Sequence, residues 1–313
     1  MKKSILIVKP LMPALRTALG ELYDVHELYQ AEDKTAYLQS IGGQIEVIAS
    51  SAWSPISRDI LRALPNLKMI ANFGVGLDHI DLDFVREKKI LLSYTPDVLN
   101  DAVADVALAL ILATARRITE AHSFVQAGKW PTSSFPLGKD LRQKTAGIVG
   151  LGRLGKAVAK RCEAFGMKIA YQGPRRKSEP YTYYESLRDL ALASDFLILT
   201  LPGGKETYRV VNADILKCLG ANGYLINVSR GSVVDESALI EALKTKIIAG
   251  AGLDVIENEP RPREDLLGIC NLVLLPHIGS ATEETRGAMK DLVLANLQAY
   301  FAGQPLLTPV DLQ

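Results

Sequence analysis

The chain has 313 residues, a formal net charge of +1 and 48% hydrophobic residues, a size and composition that suit a globular protein of two domains. With 36 basic residues balanced by 35 acidic ones, no basic surface for nucleic acid is expected. The three cysteines, Cys162, Cys218 and Cys270, lie too far apart for a C-x-x-C or metal pattern, so no metal is expected and a reducing, cytoplasmic setting fits better than a disulfide framework.

The opening "MKKSILIVKPLMP" puts two lysines before an apolar run, but Lys9 and Pro10 break the run and no small-residue cleavage site follows. It reads as a first buried strand. A helix from about Ala14 to Leu22 is predicted next, then "IEVIAS", "ISRDILRALP", "LKMIANFG" and "ILLSYTP". Strand-like runs alternating with helical ones predict a parallel sheet covered by helices. From Asn100 to Ala127 an Ala/Leu-rich stretch predicts one long helix, with Asn100 as N-cap and Gly128 as its stop. At about 27 residues it would run roughly 40 Å, enough to pass from one domain to another. Its most apolar part, "AVADVALALILATA", contains Asp105 and is shorter than the ~20 residues that cross a bilayer, so no membrane span is expected.

Six more strands are predicted beyond that helix, in "TAGIVG", "KIAYQG", "DFLILTLP", "YLINVSRG", "IAGAGLDV" and "LVLLPHIG". Six parallel strands match a complete doubly wound dinucleotide fold. The closing "TEETRGAMKDLVLANLQAYFAG" is amphipathic and helical, is stopped by Gly303 and Pro305, and is expected to return to the first domain. The expected class is α/β, with two Rossmann-like or flavodoxin-like doubly wound parallel-sheet domains and a cleft between them. Residues 1–96 plus 284–313 form the expected substrate-binding domain and 97–283 the dinucleotide-binding domain.

"GIVGLGRLG" contains G-x-G-x-x-G as Gly150, Gly152 and Gly155, directly after a strand and before a helix pattern. In that order the three glycines serve the tight turn, the backbone approach to a pyrophosphate, and the close packing of helix on strand. The helix N-terminus then offers N–H groups and partial positive charge to the phosphates. Arg153 and Leu154, inside the fingerprint, join the expected cofactor set, as does Val228 at the end of a later strand. An NAD site usually carries an acid at the end of the second strand, where it binds the ribose hydroxyls and would repel a 2′-phosphate. This chain has Gln172 and Gly173 there, followed by Pro174, Arg175 and Arg176. A guanidinium fork binds phosphate in bidentate fashion, and Gly173 leaves a backbone N–H accessible, so the expected cofactor is NADP(H).

Arg230 in "NVSRGSVVDESAL", Glu259 in "GLDVIENEP" and His277 in "LPHIGSAT" each fall at or just past the C-terminal end of a predicted strand, the edge where open α/β sheets bind ligands. Reduction of a 2-keto acid needs a cation for the carboxylate and carbonyl, a hydride, and a proton for the developing alkoxide. Arg230, the cofactor and His277 would supply them. A carboxylate beside the imidazole favours the imidazolium, the proton-donating form, and Glu259 suits that role.

"GVGLDHIDL", "GIVGLGRLGKAVAKR", "NVSRGSVVDESALIEAL", "AGAGLDVIENEP" and "LLPHIGSATEETR" together resemble the D-isomer-specific 2-hydroxyacid dehydrogenase family across essentially the whole chain. Within it, "LLPHIGSATEETR", "YTYY" and "LLTPV" resemble the NADPH-dependent glyoxylate/hydroxypyruvate reductases most closely. The resemblance implies Arg230, Glu259 and His277 as catalytic residues. It also implies substrate-carboxylate binding by the backbone N–H groups of Val75 and Gly76, contact of Asp254 with the nicotinamide carboxamide, and a homodimer. Trp53, in "SSAWSPIS", could line the substrate pocket, and Trp130 reads as packing or subunit contact. His79, near the carboxylate loop, reads as a helix-start surface residue. Three rival readings differ in kind: a reductase of a bulkier 2-keto acid such as 2-ketogluconate or phenylpyruvate, a nucleotide-sensing co-repressor-like scaffold, and a methyltransferase. The scaffold would carry long polar tails, and the methyltransferase would leave Arg230, Glu259 and His277 unexplained.

Overall fold

The computed structural model describes residues 2–52 and 54–312. Trp53, expected to line a substrate pocket, lies outside the described residues. The chain divides into two compact units, Met1–Leu99 with Thr282–Gln313, and Asn100–Ala281.

In the first unit, strands β1 (Ser4–Ile7), β2 (Asp24–Glu27), β3 (Val47–Ser51), β4 (Met69–Phe73) and β5 (Leu91–Ser93) pair in parallel in the order β2-β1-β3-β4-β5. That is the flavodoxin-like order. Every residue of β3 and β4 is buried, as central strands covered by helices on both faces require. Leu6, Ile48, Ile70 and Leu92 from the strands meet Leu61, Phe84 and Val85 from helices in one core. β2 was not among the predicted strands. Its sequence "DVHE" has no apolar run, because it pairs on one side only and none of its side chains is fully buried. The helix Glu283–Phe301, capped by the Thr282 hydroxyl, packs against β4, as the expected return to this domain requires. After it the chain adds an antiparallel bridge to β5 between Pro309 and Ser93, with Asn296 accepting the Thr308 N–H.

The second unit carries β6 (Thr145–Val149), β7 (Lys168–Gln172), β8 (Thr182–Tyr184), β9 (Phe196–Leu199), β10 (Tyr224–Asn227), β11 (Gly250–Leu253) and β12 (Leu272–Leu274). All pair in parallel, in the order β12-β11-β10-β9-β6-β7-β8, a Rossmann order extended by one strand beyond the six predicted. The addition is β8, three tyrosine- and threonine-bearing residues at the sheet edge. The order reverses at β6, so the carboxyl end of β6 is the topological switch point where such sheets bind ligands.

The single helix expected over 100–127 is instead two, Asn100–Arg116 and Ile118–Gln126. In a continuous helix the Ala115 carbonyl would accept the N–H of Thr119. Here it accepts the Lys139 N–H at 2.8 Å, and Arg117 turns into the left-handed region at φ 53°. The returning chain can come this close because residue 138 is glycine: a Cβ there would lie 2.7 Å from that same oxygen. Asn100 is the first helical residue rather than a cap outside it. Asp105 is paired with Arg161 at 2.6 Å, joining this helix to Arg153–Ala164. Among the described residues no helix is long and apolar enough to cross a membrane.

Candidate active site

The turn after β6 is built by its glycines. Gly150 sits at φ 94°, and a Cβ on it would crowd Leu201 Cα at 3.1 Å. A Cβ on Gly155 would fall 2.3 Å from the Gly150 carbonyl, so the helix Arg153–Ala164 can press onto the turn only with glycine there. The Thr200 hydroxyl, just past β9, donates to that carbonyl at 2.7 Å and fixes the turn from the other side. Gly152 is the N-cap and, as glycine, offers no side-chain cap, and no atom comes within 4 Å of where its Cβ would be. Arg153 and Leu154 follow as the first helical residues. A 12-residue helix that opens on a glycine facing open space is an anion cradle, and it fits the pyrophosphate of a dinucleotide.

The basic loop lies beside this cradle. Gln172, the last residue of β7, pairs across the sheet with Val149, and its carbonyl accepts the Gly150 N–H at 2.9 Å. The Tyr183 hydroxyl holds the Gly173 carbonyl at 3.2 Å, and the buried Tyr171 hydroxyl accepts the Lys177 N–H at 2.7 Å. Glu179 pairs with Lys156 of the fingerprint helix. Tyr181 donates to Glu163 at 2.8 Å, and burial followed by that bond pushes its hydroxyl up to about 12. Between these anchors Arg175 and Arg176 are exposed, and neither pairs with an acid among the described residues.

Arg230, Glu259 and His277 follow three adjacent strands. β10, β11 and β12 are neighbours whose last residues, Asn227, Leu253 and Leu274, stand in register. Val228 and Ser229 are buried just past β10, and the Asn227 amide donates to the Arg230 carbonyl at 2.9 Å, which sets the direction of the chain at Arg230. Glu259 Oε1 accepts the Ile256 N–H at 3.1 Å, and its Oε2 lies 2.7 Å from His277 Nδ1. An ionised carboxylate only accepts, so Nδ1 donates to Glu259, which sets the tautomer of the ring. Both side chains keep about a fifth of their surface exposed, 23% for His277 and 17% for Glu259, enough for a small substrate to reach them.

Residues 108–279 match the family model described as D-isomer specific 2-hydroxyacid dehydrogenase, NAD binding domain. Glyoxylate/hydroxypyruvate reductase A of Arabidopsis thaliana is 42% identical over 307 residues, covering 98% of each chain. The chain belongs to the D-isomer-specific 2-hydroxyacid dehydrogenase family. A 2-ketogluconate reductase of Gluconobacter oxydans is 43% identical over 310 residues and 99% of each chain. Among solved structures, an NADPH-dependent glyoxylate/hydroxypyruvate reductase of Sinorhizobium meliloti, in complex with NADP and malonate, superposes with a TM-score of 0.93 at 42% identity, covering 100% of this chain and 98% of that one.

Two carboxylates of this dehydrogenase do more than the sequence indicated. Asp254, only 2% exposed, accepts the Ile278 N–H at 2.7 Å and the Gly279 N–H at 2.8 Å, while its carbonyl accepts the His277 N–H at 2.9 Å. It therefore clamps the His277 loop. Burial pushes its carboxyl up, partly offset by those two N–H bonds. Glu236, also 2% exposed, accepts the Glu257 N–H at 2.5 Å and so pins the loop that bears Glu259. In sequence Glu236 is an ordinary acid in the first turn of a helix that Asp235 caps. Nothing in "VDESAL" signals that its carboxylate is buried. Val75 and Gly76 belong to the first unit, in the loop after β4, where Gly74 has φ 144° and Val75 is 40% exposed.

Proposed function

We propose that this dehydrogenase uses NADPH to reduce a small 2-keto acid, glyoxylate or hydroxypyruvate, to the D-2-hydroxy acid. The observation that carries the reading is the 2.7 Å pair of His277 Nδ1 with Glu259, one strand from Arg230 and on the same sheet edge as the glycine cradle. NADPH, when bound, supplies the hydride to the carbonyl carbon. Arg230 holds the substrate carboxylate and polarises the carbonyl, helped by the backbone N–H groups of Val75 and Gly76. His277 Nε2 gives its proton to the carbonyl oxygen as negative charge develops there, and Glu259 stabilises the imidazolium before transfer. Asp254 keeps spare lone pairs for the nicotinamide carboxamide while it clamps the loop. The first unit binds substrate and the second binds cofactor.

NADPH is favoured over NADH because β7 ends in Gln172, with no acid to repel a 2′-phosphate, and because Arg175 and Arg176 stand exposed without an acidic partner among the described residues. The NADP in the Sinorhizobium meliloti neighbour supports the same choice. A second reading, reduction of a bulkier 2-keto acid, is favoured by the Gluconobacter oxydans relative named for 2-ketogluconate, at an identity equal to that of the glyoxylate reductase within one per cent. Steady-state kinetics with glyoxylate, hydroxypyruvate, pyruvate, phenylpyruvate and 2-ketogluconate, each with NADPH and NADH, separates the two. The highest kcat/KM is expected for glyoxylate or hydroxypyruvate with NADPH. A higher value for 2-ketogluconate or phenylpyruvate selects the second reading, and equal or better use of NADH overturns the cofactor choice. A cytoplasmic homodimer completes the proposal.

A further inference from the structure

Asn72 is the fourth residue of β4, wholly buried, and directly opposite Ser50 of β3. Both ends of its amide are engaged. Nδ2 donates to the Gly74 carbonyl at 3.2 Å and to the Gly76 carbonyl at 3.1 Å, while Oδ1 accepts the Ser50 hydroxyl at 3.0 Å. The orientation of the amide is not arbitrary, because two backbone carbonyls only accept and so must face the NH2 end. In a trans peptide the carbonyl of one residue and the N–H of the next point in opposite directions. Drawing the Gly74 carbonyl toward Asn72 therefore turns the Val75 N–H away from the buried amide. Drawing in the Gly76 carbonyl fixes the Gly76–Leu77 peptide in the same sense, so the intervening Val75–Gly76 peptide is held at both ends. Thr95 completes the anchorage: its hydroxyl accepts the Gly74 N–H at 3.1 Å and its own N–H donates to the Gly74 carbonyl at 3.0 Å. Neither the Val75 nor the Gly76 N–H donates to an acceptor among the described residues.

We propose that Asn72 is a positioning residue for substrate recognition: its amide holds the Gly74 and Gly76 carbonyls inward so that the Val75 and Gly76 N–H groups are presented, already oriented, to the carboxylate of the 2-keto acid. The proposal rests on the reading above that this loop receives the carboxylate. Backbone amides fixed before binding stabilise an anion without a reorganisation cost, and releasing them from Asn72 weakens that contact. The glycine flanking Val75 on each side gives the loop little stiffness of its own, so the fixing falls to the buried amide.

The test is kinetic, with Asn72→Ala and, as a milder change that removes only the hydroxyl steadying the amide, Ser50→Ala. For each, kcat and KM for glyoxylate are measured at saturating NADPH, with the inhibition constant for oxalate and the NADPH dissociation constant from fluorescence titration. Asn72→Ala is expected to raise the glyoxylate KM and the oxalate constant together by at least about tenfold, the scale of one lost hydrogen bond to a charged group. The NADPH constant should stay within about twofold of wild type and kcat should fall far less than KM rises, because binding rather than chemistry is impaired. Ser50→Ala should move the same two constants in the same direction by less, and it carries the test if Asn72→Ala does not fold. Unchanged glyoxylate and oxalate constants in a folded variant overturn the proposal, as does a fall in NADPH affinity matching the rise in KM, which would mark a general loss of structure. A wild-type enzyme inert toward every 2-keto acid in the substrate panel would instead overturn the functional reading, and this proposal with it.

Discussion

A histidine at φ 54° occupies a region that side chains other than glycine rarely adopt, so something must hold His277 there. Asp254 does, through three successive N–H groups, those of His277, Ile278 and Gly279. The backbone is thus fixed from β11 and the ring from Glu259, which leaves the imidazole one orientation. If His277 is the acid, His277→Ala should lose about 10² to 10⁴-fold in kcat, the usual contribution of general acid catalysis, with the NADPH dissociation constant unchanged. Near wild-type turnover in that variant would remove His277 from the chemistry. Glu259→Gln keeps the shape but removes the negative charge that favours the imidazolium, so its kcat/KM should fade at a lower pH than that of wild type as pH rises. An alkaline limb in the same place for both enzymes would rule Glu259 out of this role. The arginines give the cleanest separation of binding from chemistry. Replacing Arg175 and Arg176 with Ala should raise the KM for NADPH at least about tenfold, the value of one or two charge-assisted hydrogen bonds, and leave NADH almost untouched. Equal losses for both cofactors would show the loop to be structural.

Which elements were legible in the sequence depended on where in the sheet they lie. β3, β4, β9 and β10 are buried along their whole length and β6 in all but its first residue, so each carries a mostly apolar run that stands out as text. β2 and β8 were missed because an edge strand pairs on one side and need not be apolar: "DVHE" and "TYY" look like loop. The break at Arg117 was invisible for another reason, since it depends on a carbonyl of Ala115 taken by Lys139, far along the chain. Arg230, Glu259 and His277 could be singled out because each lies past the end of a strand run, whereas Glu236, as a helix-start acid, gave no sign of its burial. That burial has a measurable consequence. Loss of water pushes the Glu236 carboxyl up, the Glu257 N–H pulling it back only in part. The folded chain then holds this proton more tightly than the unfolded chain, so the group favours folding most at acid pH and less as pH rises from its unfolded value through its raised folded one. Glutamine has no charge to bury and its carbonyl still accepts the Glu257 N–H. Relative to wild type, Glu236→Gln should therefore become progressively more stable as pH rises above the ordinary glutamate range, as read from urea midpoints at several pH values. Parallel curves above that range would refute it.

At the scale of the whole molecule, the second unit was readable from a motif with its context, while the first offered only an alternation of strand and helix; the two strand orders differ accordingly, one Rossmann-like and one flavodoxin-like. Neither motif nor alternation explains the segment between them and the glycine turn. The helix Ile118–Gln126 buries none of its residues, and at nine residues it is too short to be stable alone in water. Its local supports are the Arg117–Glu120 ion pair and the edge-on contact of Phe124 with Phe135 at 5.4 Å. Around these, Ile118 is 51% exposed, Val125 48%, Trp130 69% and Leu137 96%. Apolar side chains of this size gathered on one short arm are what monomers avoid and subunit interfaces use, with tryptophan the most favoured anchor. The proposed homodimer should therefore be built on this segment. Replacing Trp130 and Leu137 together with Asp puts two charges where an interface would have to desolvate them, at a cost that a contact of standard size, roughly 1,200–2,000 Å² in total, cannot easily offset. Sedimentation at micromolar concentration should give a dimer for wild type and a monomer, or a dimer weakened by orders of magnitude, for Trp130→Asp/Leu137→Asp, with the circular dichroism of the fold retained. A monomeric wild type would sink the dimer itself, and a double variant that sediments as wild type does would move the interface to another face of the chain.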